Sequence, residues 1–312
     1  MENSLKAFLS QIVDYAGLYP PASLPLEDAI RSFVDYQSDE EVWMLSRFIT
    51  SARRLAELSQ LAEKIFPKEG VLSFSVLGRG GQDTDEFLEN LKFDIADIDV
   101  FRQIKGVVVD VFEVVLPSSA LAGKSTAHDL VKKAADALNK NGLTVFFEAP
   151  FGEGWQSRAE KLVRALRKVK DKHVGFKLRT GGVTADAFPS TEQVAWAIES
   201  TRDAGVPIKA TAGLHHPVRH YNESVQTKMH GFLNVFGAGV LAVTNDLSIE
   251  QIQAILEDEE PANFIFDESG FAWKDLRIAA LEMMRARLQV VSFGSCSFDE
   301  PREDLQKLGL LE

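Results

Sequence analysis

The chain has 312 residues, 45% of them hydrophobic and 26% charged, with a formal net charge of -12. That balance argues against a basic duplex-binding surface, so no nucleic-acid partner is expected, and with no apolar run of about 18 residues no membrane partner is expected either. The single cysteine, Cys296, cannot close an intramolecular disulfide, and Met1-Glu2-Asn3-Ser4 shows no signal-peptide pattern, so a cytoplasmic protein is the expectation.

Short apolar runs at 12–17, 42–48, 71–77, 106–116, 143–148, 174–179, 207–212 and 289–293 predict strands. The amphipathic stretches between them predict helices, among them 26–36 and 52–65. The clearest is 155–169, where Leu162, Val163, Leu166 and Val169 recur at helical spacing with Arg and Lys opposite. Pro20-Pro21 predicts a stiff first loop that keeps Asp14 and Tyr15 near the functional face. Residues 263–266, 267–270 and 271–274 read as strand, turn and strand, a β-hairpin decorating the fold before a last helix at 275–288. Strands alternating with helices imply an α/β fold with a parallel sheet. Closure into a (β/α)8 TIM barrel, one domain over 1–312, is the simplest reading, and an open doubly wound sheet is the alternative.

In a parallel barrel, functional groups sit at the C-terminal ends of strands. Side chains alternate across a strand, so Lys177 and Arg179 share one face while Phe176 and Leu178 take the other. On the next strand Lys209 and Thr211 share a face. If the apolar residues face the helices, the two lysines converge inside the barrel. A lysine amine attacks a carbonyl only when unprotonated, and burial or a neighbouring cation lowers its pKa from about 10.4. Lys209 beside Lys177 therefore predicts an activated amine able to form a Schiff base. The bland alternative is a pair of rim lysines reaching solvent.

Asp110 and Glu113 are three residues apart and cannot both face inward from a regular strand. An inward Glu113 would serve the lysines as a proton relay, or pair with them as a simple ion pair. Thr180, Gly181, Gly182, Gly213, Gly294, Ser295 and Ser297 follow late strands and suggest an anion site of backbone N–H groups and hydroxyls. His215 and His216 suit substrate hydrogen bonding. Adjacent histidines rarely hold one ion together, so no metal and no cofactor is expected. No spacing ties a histidine to Cys296 as a nucleophile.

At these positions the sequence resembles deoxyribose-phosphate aldolase, a class I aldolase with a (β/α)8 barrel. Phe112-Glu-Val-Val-Leu-Pro-Ser-Ser-Ala-Leu-Ala-Gly123 is similar to that family's fourth-strand segment, Phe176-Lys-Leu-Arg-Thr-Gly181 to its Lys-Thr-Ser-Thr-Gly strand, Ile208-Lys-Ala-Thr-Ala-Gly213 to its Lys-x-x-Gly-Gly strand, and Ser292-Phe-Gly-Ser-Cys-Ser297 to its last-strand phosphate loop. The resemblance implies Lys177 as the Schiff-base lysine, Lys209 as the second lysine and Glu113 in place of the catalytic aspartate. Arg179 stands where the family has serine, Cys296 replaces a loop serine, and Gly-Gly-Ile-Arg is missing after Lys209.

The reading is a lyase of the class I aldolase type. Its partner would be a small phosphorylated or carboxylated aldehyde or ketone, contacted by Arg179, Thr211 and the late-loop residues. A homo-oligomer stays open. The other readings are a metal-dependent barrel hydrolase using His215 and His216, and a barrel that binds a sugar phosphate or organic acid without turnover.

Overall fold

In chain order, helix α1 (Glu2–Leu9) precedes strand β1 (Val13–Tyr15), and α2 (Leu26–Asp35) leads to β2 (Leu45–Ser51). Then follow α3 (Leu55–Ile65), β3 (Leu72–Leu77), α4 (Thr84–Phe101), β4 (Val107–Val115), α5 (Lys124–Lys140), β5 (Thr144–Glu148), α6 (Trp155–Lys168), β6 (Val174–Arg179), α7 (Thr191–Ala204) and β7 (Ile208–Thr211). A long excursion comes next: the hairpin β8 (His220–Asn222) and β9 (Thr227–Met229), helices α8 (Phe232–Asn245) and α9 (Ile249–Glu257), and strands β10 (Phe264–Asp267), β11 (Gly270–Trp273) and β12 (Leu276–Ile278). Helix α10 (Ala280–Ala286), β13 (Val290–Ser295) and α11 (Asp299–Lys307) complete the chain. The computed structural model describes residues 2–312, so Met1, where the signal-peptide reading begins, lies outside the described residues.

The strands β1-β13-β7-β6-β5-β4-β3-β2 close into a parallel barrel. The TIM-barrel expectation is therefore met, and the open sheet is excluded. Closure brings β1 against β13, with Asp14 opposite Gly294. The helix-facing positions are large and apolar. Phe48, Phe74, Phe112, Phe147, Phe176 and Phe293 are wholly buried between barrel and helices, and their removal from water supplies much of the driving force for the fold. Helix α6 forms where expected, because its apolar stripe (Leu162, Val163, Leu166) is buried under the barrel's outer wall. Helix α7 is fixed at both ends, by a Ser190–Gln193 capping box and by Gly205 at φ 63°.

Several boundaries differ from expectation. The second strand was expected at 42–48, but residues Val42–Met44 form a 3-10 turn and the strand runs Leu45–Ser51. An apolar run does not by itself distinguish a strand from a buried turn. The helix expected from 52 opens with a 3-10 turn and becomes α-helical at Leu55. The stretch 275–288 is not one helix. Leu276–Ile278 pairs with β11 as a third strand, and the helix runs only over Ala280–Ala286. A Cβ at Gly270 would lie 2.0 Å from the Ile278 carbonyl oxygen, so glycine there lets the third strand close in. Nor is that helix the last, since α11 follows β13. Helix α1 packs on the small sheet through Phe8, whose ring lies 5.3 Å from Phe266 and 4.8 Å from Phe271. None of the helices among the described residues is long and apolar enough to cross a membrane.

Candidate active site

The barrel interior carries charge where its outer wall carries phenylalanine. Asp14, Glu113, Glu148, Lys177 and Lys209 are all buried. Strand register explains why they meet. Lys177 on β6 sits level with Lys209 on β7 and with Glu148 on β5, and all three point inward. Glu113 comes from β4, one strand further round.

Glu113 is the hub. Its Oε1 accepts from Lys209 Nζ at 2.5 Å and from Ser75 Oγ at 2.6 Å, and its Oε2 lies 2.9 Å from Lys177 Nζ. Lys177 Nζ is also 3.3 Å from Glu148 Oε2. Lys209 Nζ is 2.7 Å from Asp14 Oδ2, which also accepts from Ser292 Oγ at 2.6 Å. Glu148 Oε1 takes the Arg179 Nε at 3.2 Å. Each lysine thus stands between two carboxylates. The Oε2 atoms of Glu113 and Glu148 are buried and have no aligned donor, so both oxygens face Lys177 at ion-pair distance with hydrogen-bonding capacity to spare.

This arrangement overturns the expected electrostatics of Lys177. Burial alone would lower its pKa, but the charges of Glu113 and Glu148 outweigh burial and the opposing pull of Arg179, and raise it above the ordinary lysine value. The resting side chain is an ammonium, not a pre-activated amine. Burial would raise Glu113, but Lys177 and Lys209 hold it well below the usual carboxylate range. Lys209 Nζ stands between Glu113 and Asp14, and the cation that opposes the rise at Lys177 is Arg179.

A cavity of about 440 Å³ opens above this layer, lined by Tyr19, Lys177, Arg179, Thr211, His215 and Cys296 among others. Lys177 reaches it and Lys209 does not, which separates the two lysines by access. Tyr19 hangs over the cavity from the loop after β1. Burial pushes its hydroxyl up to about 12 against the pull of Lys177, so it stays a phenol. Arg179, 38% exposed and held by Glu148 through its Nε, lines the same space.

The remaining expected site residues divide. Gly182, Thr211, His215 and Gly294 line the cavity with Arg179. Thr180 does not: its hydroxyl donates to the carbonyl oxygens of Thr211 and Ala212. Gly181 and Gly213 face each other, and a Cβ on Gly213, which sits at φ 75°, would come 2.8 Å from the Gly181 Cα. Their glycines serve a close loop approach. Ser295 is wholly buried, and Ser297 Oγ accepts from Glu300 N at the start of α11. Neither serine lines this cavity, and α11 carries its own Asp299 and Glu300 in its first turn. His216 lies off this cavity with its Nδ1 2.5 Å from Asp304. His215 instead pairs with Cys296, Nδ1 to Sγ 3.7 Å, and with Glu300 Oε2 at 3.2 Å. Burial would lower the His215 pKa, but these two contacts raise it to about 9.

Sequence reasoning passed over Ser75, Ser292, Arg47 and Tyr19. For the serines a signal existed, since Ser75 lies between Phe74 and Val76 and Ser292 between Val291 and Phe293. A small polar residue flanked by large apolar ones in a strand marks the inward face. Arg47 lies in both the expected and the observed second strand, and only its partners on other strands mark it out. It grips Asp110 at 2.6 Å and donates its backbone N–H to Asp14 Oδ1. Asp110 lies where the β3–β4 register slips between Val109 and Val111. That irregularity lets Asp110 line the small opening it shares with Arg47 and Lys209, while Glu113 lies in the interior.

The deoxyribose phosphate aldolase of Aeropyrum pernix, a tetramer, superposes on this structure with a TM-score of 0.52 at 15% identity, over 98% of this chain and 97% of that one. The barrel fold is shared. QR15, an aldolase, superposes with a TM-score of 0.48 at 14% identity, over 97% of each chain. No protein-family model matches the chain, and no curated protein matches it in sequence.

Proposed function

We propose that this barrel is a lyase of the class I aldolase type, acting through Lys177 on a small anionic aldehyde or ketone. The observation that carries the reading is the contact between Lys177 and Glu113: a cavity-lining lysine whose nitrogen lies 2.9 Å from a buried carboxylate oxygen with hydrogen-bonding capacity to spare. Lys177 must lose a proton before it can attack. Glu113 Oε2 receives that proton as the carbonyl enters, and the amine nitrogen forms a bond to the carbonyl carbon. The former carbonyl oxygen takes a proton and leaves as water, giving an iminium. Glu113, a carboxylate again once water has left, takes the proton of the hydroxyl on the β-carbon. The scissile carbon–carbon bond breaks, that carbon leaves as an aldehyde, and the bond's electron pair moves into the iminium to form an enamine. The enamine is protonated on carbon and hydrolysed by water to free Lys177. Arg179 holds the anionic group, which suits a carboxylate as well as a phosphate. Tyr19, protonated throughout, supplies a neutral hydroxyl over the same atoms.

Lys209, with its ammonium between Glu113 and Asp14, keeps the proton acceptor fixed. We place the activity in the cytoplasm, on the single cysteine. The saturated pairing of both lysines also supports a second reading, an organic-anion-binding barrel without turnover.

Incubation with a panel of phosphorylated and carboxylated aldehydes and ketones, followed by borohydride reduction and peptide mass analysis, separates the two. Label on Lys177 that disappears in Lys177→Met supports the lyase. Tight binding by thermal shift with no label on Lys177 from any member of the panel refutes it and leaves the binding barrel.

A further inference from the structure

Beyond the lysine centre, one group of side chains has the composition and spacing of a metal site. His215 follows β7, Cys296 follows β13, and Glu300 lies in the first turn of α11. Closure of the barrel brings His215 to Cys296 and Glu300, more than eighty positions further along the chain. His215 Nδ1 is 3.2 Å from Glu300 Oε2 and 3.7 Å from Cys296 Sγ, and the three ligand atoms all lie within 4.8 Å of one another. It is the one such cluster of three or more His, Cys, Asp or Glu side chains among the described residues.

The distances can be compared with what an ion would impose. Zinc holds nitrogen and oxygen at about 2.0–2.2 Å and sulfur at about 2.3 Å, so a tetrahedral site sets nitrogen and oxygen about 3.4 Å apart and sulfur and nitrogen about 3.6 Å apart. The observed 3.2 and 3.7 Å lie within the adjustment of a side-chain torsion. We propose that His215, Cys296 and Glu300 form a three-ligand site for Zn²⁺, with the fourth coordination position open to the cavity. A thiolate with an imidazole and a carboxylate selects a borderline-soft ion and disfavours Mg²⁺ or Ca²⁺. One thiolate and one carboxylate balance the charge of the ion. His215 and Cys296 line the cavity that Lys177 also lines, and Glu300 reaches the cluster from the more exposed side. Three protein ligands and one open position are the arrangement of a catalytic rather than a structural zinc. An ion there would take an oxygen of the bound molecule as its fourth ligand and polarise it. His216 has no part in this site, because it is bonded to Asp304.

The chain's single cysteine makes the test direct. Purified protein, stripped with chelator, is titrated with Co²⁺ and followed by absorption. A thiolate-to-cobalt charge-transfer band, saturating at one equivalent and abolished by one equivalent of Zn²⁺ but not by excess Mg²⁺, is the expected result. Its sulfur can only be Cys296. In the unmutated protein, Zn²⁺ should also slow alkylation of Cys296 by at least about tenfold. Cys296→Ser and His215→Ala should lose the band, and Glu300→Gln should weaken Zn²⁺ by at least about tenfold, the low end of what even an outer-shell partner contributes. Co²⁺ binding with no charge-transfer band, or Zn²⁺ that leaves Cys296 alkylation unchanged, overturns the proposal and leaves the trio as a hydrogen-bonded cluster. Lys177→Met should keep the band, so the site and the Schiff-base reading can fail separately.

Discussion

Replacing Glu113 by Gln tests whether the interior charges depend on one carboxylate. The change keeps the side chain's shape and removes the charge that Lys177, Lys209 and Ser75 share. Removing one partner of a buried ion pair costs about 3–5 kcal/mol. Here the lower end applies, because Lys209 keeps Asp14 at 2.7 Å and Lys177 keeps Glu148 at 3.3 Å. At about 2.1 cal/mol/K per residue, unfolding 312 residues carries an entropy of roughly 0.65 kcal/mol/K. A loss of about 3 kcal/mol then lowers Tm by roughly 5 °C, which circular dichroism resolves. The effect has a sign in pH. Because Glu113 titrates well below its ordinary value when folded, its contribution is fully present above the unfolded carboxylate pKa and is lost as pH falls toward the folded one. The gap in Tm between Glu113→Gln and the unmutated protein should therefore be full at neutral pH and shrink below about pH 4.5. Meanwhile Lys177 loses a neighbour that raises its pKa, so its reaction with a small amine-directed electrophile should quicken while aldol turnover falls. An unchanged Tm at neutral pH, or a Lys177 that reacts more slowly, would refute the assignment of Glu113 as the hub.

Three further outcomes follow from the same geometry. The Lys177 pKa is raised, so the free amine is scarce at neutral pH; borohydride-trappable adduct with a fixed carbonyl should form faster as pH climbs past 9, and a plateau below pH 8 would contradict the ion-paired ground state. Arg179→Gln removes a charge-assisted contact worth about 1.5–3 kcal/mol, which predicts a rise in KM of roughly ten- to a hundredfold for anionic carbonyls and little change for neutral ones, measured side by side. Gly213→Ala forces a side chain onto φ 75° and to 2.8 Å from Gly181 Cα, a strain of about 1–3 kcal/mol. Urea denaturation should show the midpoint fall without a change in slope.

The sequence carries the barrel because its signal is local and repeated. Each strand has an apolar outer face, as in Phe176 and Leu178, that only a covering helix can bury. The same alternation points Lys177 and Lys209 inward, and the β6–β7 register then sets them level. Parity also held the clue to Ser75 and Ser292, whose hydroxyls complete the carboxylates' bonding. Three matters could not be read along the chain. Arg47 lay inside the expected strand, but its partners Asp110 and Asp14 stand on other strands and are brought to it only by the fold. The protonation state of Lys177 depended on Glu148 and Glu113, one and two strands away around the barrel, and a sum of opposing charges is set by distance and not by composition. The meeting of His215, Cys296 and Glu300 depended on β7 and β13 lying side by side after a long excursion between them. Local periodicity thus determined which residues point inward, and only the closed barrel decided which of those charges touch.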